Sequence, residues 1–473
     1  MKVKRILLYF IFCLLSIPLL AQTGTEIPEQ YLGLGLPLIC ITTVDGEEPT
    51  STGIMHPAGF NGASITDVVA KEARMKIFRD DTLWYDSGEY LKDEAGIKIK
   101  HRGNTSAYCY ENKPFKLKLQ KKADLIDFHE ECDTVNRKSK DWVLLNCSFS
   151  IRTAFVYQVE KIIEMEYAPR VEYVNVFINN DYRGIYILSE NVKRDKNCRV
   201  DVDKDEGYII ELNAYFWNET YSIPSKLTGF LQWTLKYPDV EDLTEEMEAN
   251  IRSDISRLET SVSNDDYPEV IDVRSVARWI LLHDIVGTYD PAGCNIFVAR
   301  KNREPSSLMR MPVAWDMDSS MLYPKQWSRT HTELGLFFSR LFANEKCQDF
   351  LETYVDEWNC VSQSGVMERM RQVCQAFPST PQGQGLARSY PLHAIRWGFD
   401  PAIFDVEAFS QSCYEWFVER EPWLNDQISE LADGIRIPSV AERRIATRKV
   451  IQGRHLYIIK DGKTYSPDGK RVK

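Results

Sequence analysis

The sequence predicts an α+β protein of two lobes, β-rich in its N-terminal half and mainly helical in its C-terminal half. Three observations carry that expectation. Apolar and polar residues alternate within 95–106, 113–122 and the hairpin 171–192, the period of strands with one buried face. Apolar residues recur at helical spacing over 242–262, 272–287 and 333–432. Near the junction of the two patterns, two apolar runs each border acidic or amide residues: TYDPAGCNIFVARK at 288–301 and MPVAWDMDSSM at 311–321.

The chain has 473 residues, enough for two or three domains with a substantial core. Its net charge is −11. An acidic surface argues against nucleic acid and anionic membranes as partners, because both need local positive charge to bind them. The N-terminus MKVKRILLYFIFCLLSIPLLAQ reads as a secretory signal peptide over 1–21, and residues 22–35 as a flexible leader. No later stretch is apolar enough to span a membrane, so an exported protein facing the periplasm, cell surface or exterior is expected. None of the eleven cysteines forms a C-x-x-C pair or a zinc-like spacing. Cys40, Cys147 and Cys374 sit in apolar patterns and read as buried small hydrophobes.

The expected N-terminal lobe covers 36–240. LPLICITTVDG (36–46) reads as a strand ending in an Asp-Gly turn, and strands flank Asp80-Asp81. AGIKIKHRGNTS (95–106) and KPFKLKLQKK (113–122) form a hairpin with basic residues on one side. DWVLLNCS (141–148) is a strand. IRTAFVYQVEKIIEME (151–166) is a helix, with Phe155, Val159, Ile162 and Ile163 on one face. VEYVNVFINNDYRGIYILSENV (171–192) is a hairpin turning at Asn-Asn-Asp. GYIIELNAYF (207–216) is a further strand. The helical lobe spans 241–435, and 436–473, with two Asp-Gly turns, reads as a short β appendage.

The chemistry sits in the acidic segments. Asp290 precedes Asn295 by five residues. Asp-Pro is a common turn dipeptide, but Asn295 directly before an apolar strand gives Asp290 a second polar neighbour. Asp290 can orient a hydroxyl and take its proton, and Asn295 can offer a hard oxygen donor. Asp316 and Asp318 fall on alternate positions of an apolar strand end, so both point one way. Two such carboxylates repel unless a cation lies between them, and Mg2+ or Mn2+ suits oxygen ligands. Solvated acids at a turn are the bland alternative. The same D-x-D spacing also occurs in nucleotide-sugar glycosyltransferases.

Arg102, Lys116 and Lys118 offer positive charge to phosphates. A solvated strand face is the simpler reading of any one lysine. Glu160 on the helix can pair with one of them, or be an exposed helix residue. Glu190 is a second candidate acid, or part of the segment joining the lobes. There is no Walker A, no G-x-G-x-x-G and no G-x-S-x-G.

HRGNTS, KPFKLKL, the helix SIRTAFVYQVEKIIEMEYAPR, the hairpin VEYVNVFINNDYRGIYILSENV, the D-x4-N segment and WDMD follow one another in this order. Together they resemble the spore-coat CotH kinase family over about 36–430. The resemblance implies a two-lobed atypical protein-kinase-like fold that binds ATP with Mg2+ or Mn2+. It further implies Asp290 as catalytic-loop acid, Asn295 as a metal ligand and Asp316 as metal-binding acid, with Lys116 or Lys118 on the ATP phosphates. Asp318 is an additional or outer ligand. Met317 replaces the family's usual aromatic, and the phosphate-side loop lacks a kinase glycine string. The expected activity is phosphorylation of Ser or Thr on an exported protein. A non-catalytic adhesion or scaffold protein of the same fold is the alternative. A metal-dependent glycosyltransferase ranks last, because it needs a parallel βαβ unit upstream of D-x-D.

Overall fold

Inward-facing apolar residues at every second position roll the N-terminal strands into a closed ring. The structure is a computed structural model. It describes residues 27–434 except 57–61, 128–134, 148–150, 228, 230, 263, 265, 289–294, 322–339 and 343–346, together with strands between 448 and 465. It is a mixed α+β molecule, sheet-rich in its N-terminal part and helical in its C-terminal part. Among these residues no helix is long and apolar enough to cross a membrane.

The ring comprises β1 (Leu38–Thr43), β4 (Lys71–Arg79), β6 (Ile97–His101), β7 (Phe115–Ala123), β8 (Ser139–Asn146), β9 (Val171–Ile178) and β10 (Asp181–Glu190). Their order is β1-β9-β10-β8-β7-β6-β4, and β1 also pairs with β4, which closes the barrel. All pairings are antiparallel except β1 with β9. β5 (Thr82–Asp86) hangs on β4. Ile39, Ile41, Met75, Ile77, Ile97, Ile99, Phe115, Leu117, Trp142, Leu144, Val176 and Tyr186 fill the interior, as expected where alternate residues point inward. A separate hairpin, β2 (Thr50–Met55) with β3 (Ser64–Val69), lies beside β6.

The predicted basic hairpin is β6–β7. Lys98 pairs with Lys118 and Lys100 with Lys116 on the outer face. The predicted 171–192 hairpin is β9–β10. Its turn residues Asn179 and Asn180 have φ of 50° and 65°, the left-handed pair that a two-residue turn matching strand twist demands.

The barrel's outer wall is covered in part by helical elements. The short α1 (Thr105–Cys109) follows β6, and α2 (Thr153–Ile162) links β8 to β9. A second sheet follows: β11 (Tyr208–Asn213), β12 (Ser222–Pro224), β13 (Gln232–Tyr237) and β14 (Ile296–Arg300), in the order β12-β13-β11-β14. The helical part comprises α3 (Glu245–Ser261), α4 (Val273–Val286), α5 (Gln348–Gln363), α6 (Val366–Ala376), α7 (Pro381–Trp397) and α8 (Val406–Gly434); α4 packs on α5, α6 on α8, and α7 on β10 of the barrel. One apolar core runs from the outer barrel wall (Val143, Tyr173, Ile185, Ile187) through α2 and β11 into these helices. α7 is laced to the barrel by side chains that bond strand backbone. Ile185 N–H donates to His393 Nδ1 at 3.0 Å, Tyr173 N–H to Gln382 Oε1 at 2.7 Å, and Trp397 Nε1 to the Arg183 carbonyl at 3.0 Å. Three terminal strands, β15 (Arg448–Gln452), β16 (His455–Lys460) and β17 (Lys463–Tyr465), form their own small sheet.

Candidate active site

Three segments far apart in sequence meet where the second sheet faces the barrel. The first is the turn after β6. Gly103 takes φ +92°, and a Cβ there would lie 2.8 Å from Ser106 Oγ. The turn projects Arg102 from the barrel rim, with the Arg102 N–H held by the Pro114 carbonyl at 3.0 Å.

The second is the entry to β14. α4 ends at Gly287, whose φ is +64°, a helix stop that favours glycine. A Cβ there would sit 2.5 Å from the Trp416 ring. Residues 289–294, including Asp290, lie outside the described residues. The chain is described again at Asn295, at φ +64°, immediately before β14.

The third is 309–321. An isolated bridge pairs Arg310 with Ala299 of β14. Beyond it the buried run from Met311 to Trp315 is not a strand. This corrects the expectation that Asp316 and Asp318 alternate on a strand end. Asp316 has φ +64°, which breaks the period-two pattern, and a turn follows at 318–321. That turn docks on the end of α4: Met321 N–H donates to the Val286 carbonyl at 2.9 Å, and the Thr288 and Ser320 hydroxyls lie 2.8 Å apart. Non-glycine residues at positive φ are uncommon and cluster at functional sites. Here Asn295 and Asp316, two of the three expected metal ligands, are of this kind.

The side chains converge. Asn295 and Asp318 both hydrogen-bond the Asp316 carboxyl, and the Arg102 charge favours its ionised form. Burial outweighs these effects and holds the Asp316 pKa above the ordinary carboxylate value. The side chain is nevertheless open to solvent, whereas Asp318 is buried. Burial raises the pKa of Tyr110, after α1, and the nearby Cys109 and Asp318 add to the shift. Among the described residues no three His, Cys, Asp or Glu side chains gather in metal-binding fashion. The donor set is two carboxylates and one amide. Two hydrogen-bonded carboxyls share a proton when no cation is there to share, and an all-oxygen set suits a hard divalent ion.

The remaining candidates lie elsewhere. Lys118 Nζ pairs with Asp141 Oδ2 at 2.9 Å. Lys116 faces the same way, and burial together with Lys193, Lys100 and Lys118 pushes its pKa down to about 8. Glu190 is fully buried and paired with Arg170, whose Nη2 lies 3.0 Å from Oε1. Asp124 joins the same arginine at 2.7 Å, so Glu190 fastens the end of β10. Glu160 is fully buried on α2, and neither carboxyl oxygen has a hydrogen-bond partner among the described residues. Burial raises its pKa well above the ordinary carboxylate value. It is not paired with Lys116 or Lys118.

Two aromatic residues at the site escaped sequence reasoning. The Arg102 guanidinium lies 5.9 Å from the centroid of the Trp315 ring. Trp315 stacks on Tyr157 of α2 with centroids 6.4 Å apart and planes at 25°. Adjacency to Asp316 marked Trp315 in the sequence. Tyr157, one turn before Glu160, carried no signal of its own.

A family model described as CotH kinase protein matches residues 99–363, more than half of the chain and every segment of this site. No curated protein matches the chain.

Proposed function

We propose, for a chain that belongs to the CotH kinase protein family, that it transfers the terminal phosphoryl group of ATP to a Ser or Thr hydroxyl of an exported protein. One observation carries this reading: Arg102, Asn295 and Asp318, from three separate segments, all act on the Asp316 carboxyl, and Arg102 also lies over the neighbouring Trp315 ring. In the fuller picture the barrel and the helical part act as the two lobes of an atypical kinase, with nucleotide between them.

Asp316, the Asn295 amide oxygen and Asp318 would hold Mg2+ or Mn2+. The bound metal nucleotide supplies a phosphoryl group whose charge is already partly neutralised. Asp318, buried behind Asp316, keeps that carboxylate oriented. Arg102 opposes the negative charge of the acids and of the phosphates. Asp290, by family resemblance, accepts the proton of the acceptor hydroxyl at its carboxylate. Lys116, with Lys100 and Lys193, makes the outer barrel face attractive to the remaining phosphates. Such catalysis consists mainly of positioning and preorganised charge.

The test is incubation of the purified protein with labelled ATP and Mg2+ or Mn2+, with casein as acceptor. Transfer that disappears in both Asp290→Ala and Asp316→Ala, with folding retained, supports the reading. Absence of transfer, together with no nucleotide-dependent rise in melting temperature, overturns it. One observation favours the second reading, a non-catalytic adhesion or scaffold protein. Glu160 is buried alone rather than joined to a lysine, so the Lys–Glu pair that positions nucleotide in protein kinases is not formed. Sugar transfer is less well supported, since the strands upstream of Asp316 pair antiparallel apart from β1 with β9.

A further inference from the structure

We infer that Trp315 and Tyr157 are positioning residues: their stacked rings form a platform that holds the Arg102 guanidinium where it meets the outermost phosphate of a bound nucleoside triphosphate. The inference rests on the phosphotransferase reading and deepens it by assigning Arg102, rather than a strand lysine, to that phosphate.

Four features support it. Arg102 is only half-buried and leaves the barrel at a glycine turn, so without a support its long side chain would sample many rotamers. Trp315 and Tyr157 are themselves buried, which makes the platform rigid. Trp315 immediately precedes Asp316, so one short stretch of backbone sets both the arginine's support and the acid beneath the phosphates. Finally, among the described residues no carboxylate lies within ion-pair distance of Arg102. Its only direct partner of this kind is the Trp315 face, while its charge still reaches Asp316 and Tyr157. A cation held by aromatic faces remains available to an anion, whereas one spent on a salt bridge does not. By contrast, Lys118 is already paired with Asp141. A planar guanidinium both stacks on an indole and forks onto a phosphate, and an ammonium does neither equally well.

The placement also couples α2 to the site. Tyr157 rides on α2, so a shift of that helix moves the platform and the arginine with it.

The experiment measures melting temperature of the intact protein in Mg2+ with ADP and with a non-hydrolysable ATP analogue. The wild-type protein should show a larger shift with the analogue than with ADP. Trp315→Leu and Arg102→Lys should each keep the ADP shift and lose the extra increment. Trp315→Phe should retain most of it, and the double variant should lose no more than either single one. If Trp315→Leu does not fold, Arg102→Lys against Arg102→Gln decides. An increment preserved by Lys means that charge alone suffices and overturns the platform. An increment lost in both supports it. Trp315→Leu that folds and keeps the full increment also overturns it. If the wild-type protein shifts with neither nucleotide, the phosphotransferase reading fails, and this inference with it. If it shifts but the variants behave like wild type, only this inference fails.

Discussion

At the scale of single residues, the molecule tolerates groups that oppose its own folding. Burial holds the Asp316 pKa above the ordinary carboxylate value despite its hydrogen bonds from Asn295 and Asp318, so its ionised form at neutral pH disfavours the folded state. Asp316→Asn is therefore expected to melt at the same or a higher temperature than the parent in the absence of metal. Its phosphoryl transfer should fall by at least about 10²-fold. Thermal melts alongside labelled-ATP assays check both halves. Such a trade of stability for a strained, charged site is common in enzymes.

Glu160 gives a cleaner sign. Its folded pKa lies above the unfolded one because burial penalises the carboxylate. The corresponding stability is fully present below the ordinary carboxylate pKa and is lost as pH rises through the raised value. The slope is at most about 1.4 kcal/mol per pH unit for one group. Glu160→Gln removes that slope. The variant should gain melting temperature over the parent progressively as the buffer is raised from about pH 5 to about pH 8. A constant difference across that range would mean that Glu160 does not take up a proton on folding.

At the scale of elements, what could be read from sequence was what local chemistry dictates. The β6–β7 basic face follows from alternation of Lys98, Lys100, Lys116 and Lys118 with apolar residues. The β9–β10 turn follows from two asparagines that accept positive φ. The Met311–Trp315 run was misread as a strand because apolar content does not reveal where ladder bonding ends. Bonding to β14 ends at Arg310, and only the backbone of Asp316 shows why. The partnerless burial of Glu160 was equally invisible, since a Glu at that helical position reads as solvent-facing.

The stop of α4 offers an element-scale prediction. Gly287 combines φ +64° with a Trp416 ring 2.5 Å from where a Cβ would be. Gly287→Ala should cost about 1–3 kcal/mol, seen as a lowered urea midpoint, and should weaken metal-nucleotide binding by displacing the chain that leads to Asn295. A second prediction concerns α7. His393 accepts from Ile185 N–H at 3.0 Å, which requires a neutral ring, and burial lowers its pKa to about 4. A depressed histidine contributes stability above its ordinary pKa, and that stability is lost as pH falls through about 4. Hydrogen exchange on acidification should therefore show the Ile185 amide losing protection before the amides of β6 and β7.

At the scale of the whole molecule, the closed barrel is the feature that no local signal announced. Its closure depends on β1 meeting β9 with Leu38 opposite Asn175 and on β1 meeting β4 with Leu38 opposite Phe78. A parallel partner so distant in sequence has no turn motif to advertise it. The nearness of Asn295, Asp316 and Asp318 was easier to anticipate than the barrel, because they sit in two short motifs. Arg102 was singled out as a cation in the sequence, but its place beside Trp315 and Asp316 is set by the fold.

The first strand thus behaves as a keystone. β1 is six residues long and has a neighbour on each side. Lifting out this one ribbon would leave two raw margins on β4 and β9, each a template for another chain. Deletion of Leu38–Thr43 should give soluble aggregates rather than a smaller monomer, a distinction that size-exclusion chromatography makes directly. Because its last partner, β9, begins at residue 171, the ring cannot be joined while the chain is shorter than that. A chain threaded N-terminus first through a narrow passage could mate one edge of its opening strand with β4 early, but would keep the other edge waiting for β9 until more than a third of the protein had followed.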